Sequence, residues 1–262
     1  MAVHDRRRSP VTDIDPPAQP ARADLVRRLF DAKAAAWPAK YATGGALVSR
    51  LASLGGAVAC QVSPGGRVID LGCGTGELVR WLAGLGFRVI GCDISGEMLR
   101  TAAAGPTVSV DWLRLDPAWQ QLPFKDHCVD AVVASSVLEY TADAADVLAE
   151  CARVLRPGGF VVCTVPDLRH PVRWLEWLCL PLTRVTGISA RKARWCRYGS
   201  YLRASGQRHQ HRWWLAAADR AGLRPEPLPD GRRPVRPLRV LNLRFRVAPM
   251  APDAPAQPGQ PP

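Results

Sequence analysis

Short runs rich in valine and isoleucine alternate with segments of helical spacing along most of the chain, and this alternation restricts the fold more than any other feature. Apolar runs predict strands at 67–71, 87–92, 108–115, 129–135 and 160–165. Helical spacing predicts helices at 25–35, 46–54, 77–85, 96–104 and 142–155. Strands that alternate with helices of about 10–15 residues build βαβ units. We therefore predict an α/β fold whose mostly parallel sheet is covered by helices on both faces.

The C-terminal part follows a different pattern. The helix predicted at 213–221 ends at Gly222, a residue typical of the position after a helix. Between 241 and 247 apolar residues alternate with asparagine and arginine, which predicts a strand with one solvated face. We interpret this strand as antiparallel and as closing the sheet, with the proline-rich segment 224–237 as its connection to the helix.

The sequence predicts one folded domain between two polar ends. Residues 1–21 and 249–262 are rich in proline, alanine, glutamine and aspartate without apolar periodicity, so we expect both to be disordered. Residues 22–248 suffice for one domain with a sizeable core. Within it, we expect residues 168–212 to form a lid over the substrate side.

Cysteine usage and hydropathy favour a cytoplasmic protein without a bound metal. The eight cysteines form no Cys-x-x-Cys pair, and several lie in apolar runs, as is typical of buried thiols in a reducing compartment. No run approaches the ~20 apolar residues that span a bilayer. Residues 1–20 also lack the apolar segment of a secretory signal.

The net charge of +12 is concentrated in the C-terminal third of the chain. Residues 1–167 hold 17 Lys and Arg against 18 Asp and Glu, whereas residues 168–248 hold 18 against 4. A basic surface concentrates anions near it, so this asymmetry concerns the partners of the protein rather than its fold.

A glycine turn links the first predicted strand to the next helix in the motif VIDLGCGTGEL, residues 68–78. Glycine tolerates positive φ and has no Cβ, so a ligand can lie against bare backbone there. Ligands of open α/β sheets bind beyond the carboxyl ends of the strands, which is where this turn lies. The motif therefore predicts a ligand site.

The residues of this turn argue against a phosphate ligand. A dinucleotide fingerprint would need glycine at position 77, where the carboxylate of Glu77 would repel a pyrophosphate. The Gly-Lys-Ser/Thr sequence of a P-loop is absent. Acidic residues suit a cationic ligand such as S-adenosylmethionine, which carries a sulfonium and an ammonium that Asp70 can orient.

Asp93 ends the second predicted strand, 17 residues after Gly76. A carboxylate in this place can accept hydrogen bonds from both hydroxyl groups of a ribose. It can instead cap the helix predicted at 96–104. Because the glycine turn lies next to it, we favour ribose binding.

In this order, the motifs resemble those of the class I S-adenosylmethionine-dependent methyltransferases, especially the subgroup of the ubiquinone and menaquinone methyltransferases. The resemblance is dense over 46–165 and extends to 30–41 and 210–223. It implies a Rossmann-like three-layer sandwich with a seven-stranded, mostly parallel sheet whose last strand is antiparallel. It also implies S-adenosyl-L-methionine as cofactor, with these candidate binding residues: Asp70, Gly72, Cys73, Gly74, Asp93, Ile94, Met98 and Asp116.

Asp116 departs from the pattern of that family. The family's adenine-side acid stands four residues before the leucine of a Leu-Pro-Phe motif, here residues 122–124. Asp116 stands six residues before it, and Ala118 occupies the fourth position. Either a two-residue insertion moves the loop, or Trp119 and backbone groups hold the adenine.

The sequence does not determine which residue is the general base. In-line positioning lowers the activation free energy of such a reaction by ~7–11 kcal/mol, whereas a general base lowers it by about 3–5 kcal/mol. Our catalytic candidates are His209 and His211, because the family builds its substrate side after the fifth strand. Glu139 and Tyr140 follow the fourth strand and are further candidates, as is His170.

The acceptor can only be predicted by class. The Asp/Asn-Pro-Pro-Tyr/Phe motif of amino-methylating DNA and RNA enzymes is absent after the fourth strand, which disfavours nucleic acid as a partner. The Trp- and Leu-rich segment 171–182, followed by cations, favours either a packed lid or peripheral contact with an anionic membrane surface. We predict an O-directed methyltransferase (EC 2.1.1.-) with a lipophilic or anionic small-molecule acceptor. The alternative is a catalytically silent domain that binds nucleic acid or a protein through its basic third.

Overall fold

The computed structural model describes residues 19–45, 47–106, 109–173, 176, 199–227 and 240–248. The strands in these ranges are β1 Arg67–Leu71, β2 Arg88–Asp93, β3 Asp111–Arg114, β4 Val129–Ser135, β5 Leu155–Pro166, β6 Leu223–Glu226 and β7 Val240–Val247. The helices are α1 Gln19–Asp31, α2 (in three sections, Val48–Arg50, Leu51–Gly55 and Gly56–Ala59), α3 Glu77–Gly84, α4 Gly96–Ala103, α5 Ala144–Val154 and α6 His211–Arg220. Short 3₁₀ turns occupy Ala34–Ala36, Pro38–Lys40 and Leu138–Tyr140.

The strands form one sheet in the order β3-β2-β1-β4-β5-β7-β6. The first five pair in parallel, and β7 runs antiparallel to both β5 and β6. The predicted Rossmann-like class, with a mostly parallel sheet and an antiparallel last strand, is confirmed. The order reverses between β1 and β4, which is where such sheets open a crevice at their carboxyl ends.

Helices cover both faces of this sheet and bury its apolar side chains. On one face, α2 and α3 pack through residues such as Val58 and Leu82. On the other face, α5 and α6 pack through residues such as Leu148 and Trp214. Since the parallel strands are buried on both faces, they consist of nearly continuous apolar runs, as the sequence showed.

The sixth strand, β6, was missed by the sequence pattern, which assigned 224–237 to a connection. β6 contains Pro225 and pairs with β7 at the edge of the sheet. Proline cannot donate to a ladder, so within sheets it is confined to places such as an edge strand. Pro225 therefore argued against a strand in the sequence, although a strand at the edge of the sheet can contain a proline.

The predicted ends and lid fall largely outside the described residues. Helix α1 begins at Gln19, which corrects the prediction that 1–21 is disordered throughout. The remainder of that segment, the tail from 249 and most of 168–212 are outside the described part of the chain. In the ranges that are described, no helix is long and apolar enough to cross a membrane, and no cluster of three potential metal ligands occurs. The six described cysteines are free thiols.

Candidate functional site

A cavity of about 730 Å³ opens at the carboxyl ends of β1, β2 and β4, beside the reversal of strand order. Nine of the thirteen residues chosen from the sequence line it: Asp70, Gly72, Cys73, Gly74, Asp93, Ile94, Met98, Glu139 and Tyr140. The other four, Asp116, His170, His209 and His211, are not part of its wall. The structure thus brings together most of the cofactor candidates and two of the catalytic ones.

The glycine turn forms the floor of the cavity, and its backbone conformation requires glycine. Gly72 and Gly74 have φ angles of 71° and 56°, in the left-handed region that side chains with a Cβ rarely adopt. A Cβ on Gly72 would also lie only 1.8 Å from Cγ2 of Val137. On Gly74 it would lie 3.3 Å from Nε1 of Trp37, which lines the same cavity.

Asp93 holds the turn from the end of β2. Its Oδ2 accepts the backbone N–H of Gly74 at 2.8 Å, and its Oδ1 accepts that of Ser95 at 2.8 Å. Burial raises the pKa of Asp93 to about 6. The cap of α4 is Ser95, whose Oγ accepts the N–H of Met98 at 3.1 Å. The alternative role of Asp93 as helix cap is therefore filled by its neighbour.

Asp70 is a buried carboxylate, 2% exposed, at the end of β1. Burial and the nearby carboxylates of Asp93 and Glu77 raise its pKa well above the ordinary value. Thr75 Oγ1 donates to the carboxylate of Glu77 at 2.7 Å. Burial of a carboxylate among like charges is costly, and a cationic ligand lowers that cost. The residues present therefore fit the ammonium of S-adenosylmethionine.

Arg50 is a cavity residue that sequence reasoning missed. Its Nη1 donates to Ser136 Oγ at 2.7 Å. Ser136 has a φ of 53°, and its N–H donates to Thr164 Oγ1 at 2.7 Å. A non-glycine residue in this conformation is uncommon and is often found at functional sites. Arg50 is a candidate for the carboxylate of the cofactor, and no periodicity or motif in the sequence distinguishes it.

Asp116 is exposed, and its Oδ1 accepts the N–H of Ala118 at 2.8 Å. The cavity wall in this region is made instead by Leu115 and by residues 117–120, including Trp119. The cofactor role inferred for Asp116 is therefore not supported by its position. The geometry agrees with the alternative, in which Trp119 and backbone groups form the adenine side.

The candidate histidines point away from the cavity. The ring of His209 stacks on Trp213 at 3.5 Å, and its Nε2 pairs with Gln207 Oε1 at 2.8 Å. Burial lowers the pKa of His209. His211 is exposed at the start of α6. Neither lines the cavity, and the same holds for His170, whose Nδ1 accepts the N–H of Val172 at 3.1 Å.

Glu139 is better placed than the candidate histidines to act as a base, because it lines the cavity. It is 6% exposed in the 3₁₀ turn after β4, and burial raises its pKa to about 7 although Arg50, Arg173 and Arg208 oppose that rise. Its Oε2 is buried without a hydrogen-bond partner among the described residues. Burial also raises the pKa of Tyr140, so its hydroxyl stays protonated at neutral pH. An unpaired carboxylate with a pKa near neutrality can accept a proton at physiological pH.

The cavity wall carries charges of both signs. Asp70 and Asp93 lie on the glycine-turn side. The remaining wall carries five cations, Arg22, Lys40, Arg50, Arg173 and Arg208, and three acids, Glu139, Asp143 and Asp146. Burial, with the charges of Lys33 and Arg50, lowers the pKa of Lys40 to about 8. Away from the glycine turn the cations thus outnumber the acids, which favours an anionic ligand there.

Comparison with known proteins agrees with this arrangement. Residues 69–163 match the family model described as a methyltransferase domain. An uncharacterised methyltransferase of Synechocystis is 33% identical over 171 residues, which are 61% of this chain and 77% of that protein. A ubiquinone biosynthesis O-methyltransferase of Burkholderia thailandensis is 31% identical over 153 residues, 55% of this chain and 65% of the relative. In two longer relatives, from Streptomyces fradiae and Cellvibrio japonicus, the match covers only 32% and 18% of the relative's length.

A solved structure is similar over most of the chain. It is the methyltransferase in complex with the Trm112 methyltransferase activator of Haloferax volcanii. It has a TM-score of 0.58 and 26% identity, and the match covers 84% of this chain and 97% of the other.

Proposed function

The chain belongs to the class I S-adenosylmethionine-dependent methyltransferases, and we propose that it methylates a hydroxyl group of a small lipophilic or anionic molecule. The observation that carries this proposal is the position of Glu139, a buried carboxylate with an unpaired Oε2 on the wall of the cavity that holds the glycine turn. Its relative from Burkholderia thailandensis, a ubiquinone biosynthesis O-methyltransferase, supports an oxygen acceptor.

The residues divide between binding and proton transfer. S-adenosyl-L-methionine supplies an activated methyl group on a sulfonium. Asp70 would bind its ammonium, Arg50 its carboxylate and Asp93 its ribose, and the bare turn at Gly72 and Gly74 would let it lie against the backbone. Most of the acceleration comes from this orientation, which is worth ~7–11 kcal/mol in well-aligned reactions.

Glu139 would take the proton of the acceptor hydroxyl as the acceptor's oxygen receives the methyl group; the C–S bond to that methyl group breaks, and the sulfur leaves as a neutral thioether. A base whose pKa is near the operating pH is the most effective, because it is largely ionised yet still accepts the proton. The pKa of about 7 for Glu139 meets this condition. Tyr140 and the rings around it close the wall beside the reacting oxygen.

The predicted contact of 171–182 with an anionic membrane surface has no support in the described part of the chain. Only Pro171, Val172, Arg173 and Glu176 of that segment are described, and nothing in them supports membrane contact. A cytoplasmic location and the alternative of a silent binding domain likewise rest on the sequence pattern alone.

Methyl-labelled S-adenosylmethionine tests the proposal. The protein is incubated with a fractionated cell extract, and the labelled product is identified by mass spectrometry, with Asp93→Ala as the control that should label less at a limiting cofactor concentration. We expect a methyl ether in a small-molecule fraction. Label found only in RNA or protein would contradict the proposal, as would tight binding of NAD in place of S-adenosylmethionine.

A further inference from the structure

We propose that the methyl acceptor carries an anionic group, a carboxylate or a phosphate, and that Arg22 and Arg208 bind this group in the cavity. The inference rests on the proposed function, because it assigns the acceptor's half of the same cavity. It replaces the open choice between a lipophilic and an anionic acceptor with the anionic one.

Arg208 lines the cavity and has an N–H group that no described residue accepts. Its Nη2 donates to Glu176 Oε2 at 2.7 Å, and Glu176 also accepts Nη1 of Arg173 at 2.6 Å. The Nε of Arg208 is buried and has no partner in the described part of the chain. Glu176 is 3% exposed and carries one charge against the two guanidinium groups that it holds. Counted over the described residues, the cluster therefore has a positive excess where water has limited access.

Arg22 reaches the same cavity from α1. Its Nη2 donates to the carbonyl oxygen of Ala204 at 3.0 Å, and its Nε is buried without a partner among the described residues. A Cβ on Gly206 would lie 1.6 Å from this Nη2, so the guanidinium lies directly against the glycine backbone. Burial of a donor without a partner is costly, and a ligand oxygen would satisfy it.

Apart from Glu176, the acids on this side compete little with a ligand for the two arginines. Asp143 accepts the N–H groups of Ala145 and Asp146 at the start of α5. Asp143 and Asp146 are exposed, so solvent screens their charges. Glu139 lines the same cavity, and burial raises its pKa to about 7, so it is only partly ionised at neutral pH. A planar guanidinium binds a carboxylate or phosphate with paired hydrogen bonds, which gives orientation as well as attraction.

Aromatic side chains in the same cavity wall indicate the rest of the acceptor. Phe30 contacts Tyr140 edge-on with ring centroids 5.1 Å apart, and it contacts Tyr201 at 6.2 Å. All three line the cavity with Arg22 and Arg208. Rings in such a wall prefer another ring in stacked or edge-on contact. The fitting acceptor class is an aromatic ring that bears a hydroxyl and an anionic group.

Calorimetry on the full chain saturated with S-adenosylhomocysteine tests the assignment. The probes are 3,4-dihydroxybenzoate, its neutral amide 3,4-dihydroxybenzamide, and inorganic phosphate as a competitor. We expect the acid to bind at least about tenfold more tightly than the amide, the loss expected for one charge-assisted contact. Arg22→Gln and Arg208→Gln should each reduce this preference by about tenfold. Arg28→Gln and Arg212→Gln remove the same charge outside the cavity and should preserve it.

Equal binding of the acid and the amide would overturn the proposal, as would no binding of either or a preference that survives both cavity substitutions. Competition by phosphate supports the anion subsite and extends it to phosphate esters; no competition restricts it to carboxylates. The affinity for S-adenosylhomocysteine, measured in the same samples, shows that each variant is folded. Failure of the proposed function has a different signature, namely no methyl transfer to any hydroxyl acceptor, charged or neutral.

Discussion

Glu139 and Asp93 are the two carboxylates on which the proposed reaction depends. Glu139 is buried and Asp93 half-buried, and burial raises the pKa of each toward neutrality, to about 7 and about 6. Asp93 retains two backbone donors, whereas the Oε2 of Glu139 has no partner among the described residues. In the proposed function Asp93 therefore keeps a fixed position, and Glu139 exchanges a proton.

Replacement of Glu139 by glutamine should slow turnover by about 10²–10⁴-fold, because the general base is lost while the shape is kept. In the parent enzyme the rate should rise as the pH passes about 7, the pKa of Glu139, since the ionised carboxylate accepts the proton. Glu139→Gln should lack this rise. Rapid-quench kinetics across pH 5.5–8.5, a range on the order of one unit or more either side of that pKa, measures both effects.

The histidines supply the controls for this experiment. His209→Ala and His211→Ala should turn over near the parent rate, since neither side chain lines the cavity. A large loss of turnover in one histidine variant, with normal turnover in Glu139→Gln, would show that this histidine and not Glu139 is the base.

The substitution Asp93→Ala should weaken S-adenosylmethionine binding at least about tenfold, because charge-assisted hydrogen bonds are lost. In the parent protein, affinity should decline as the pH falls through about 6, where Asp93 becomes protonated. Calorimetry at several pH values measures both quantities. Asp116→Ala is the matched control and should bind normally, since Asp116 is exposed and outside the cavity. An equal loss in both variants would place the ribose elsewhere.

At the scale of elements, the turn between β1 and α3 is shaped by what packs behind it. Val137, which follows β4, fills the space that a side chain at Gly72 would need. The ends of β1, β2 and β4 therefore depend on one another, because the turn keeps its conformation only while the neighbouring loop lies against it. This mutual packing holds the cofactor side rigid.

The substitution Gly72→Ala should destabilise the protein by about 1–3 kcal/mol and abolish tight cofactor binding, because both the φ angle and the contact with Val137 oppose a Cβ. Gly84→Ala is the matched control at the end of α3. A Cβ there meets nothing within 4 Å, and alanine is the better helix former, so stability should rise slightly. Urea unfolding of both variants measures the difference. Equal stabilities would show that the turn is not constrained in this way.

At the scale of the whole molecule, the cavity gathers buried carboxylates at a cost in stability. Asp70, Asp93 and Glu139 all have raised pKa values, with burial as the leading cause. A group whose pKa is raised on folding stabilises the protein fully below its unfolded pKa, and this contribution is lost as the pH rises through its folded value. The free enzyme is therefore less stable at neutral pH, because carboxylates in its binding site become ionised while they are buried.

Stability of the free protein should accordingly fall between about pH 5 and pH 7.5, as Asp93 and then Glu139 ionise. His209, whose pKa burial lowers, acts in the opposite direction, so the measurement must compare variants. The double variant Asp93→Asn, Glu139→Gln should show a distinctly flatter dependence in urea unfolding at each pH. A steeper loss of stability in the double variant than in the parent would contradict this account.

The local pattern of the chain was sufficient to predict the parallel strands, the glycine turn and most of the candidate residues that line the cavity around it. A strand buried on both faces needs apolar residues along its own length, so it can be recognised as a run rich in Val and Ile. A turn with positive φ needs glycine at that position, so it can be recognised from Gly72 and Gly74. β6 was missed because its place at the edge, which tolerates Pro225, is a property of the assembled sheet.

The acceptor side was decided only by the tertiary structure. Arg22 and Ala204 are 182 residues apart in sequence, and Arg50 meets Ser136 from a distant helix. His209 was a candidate because it follows the fifth strand, where the family builds its substrate side, but its ring stacks on Trp213 and does not line the cavity. Which cations and acids share a pocket depends on side-chain direction and on packing between remote segments, and neither leaves a periodic trace in the sequence.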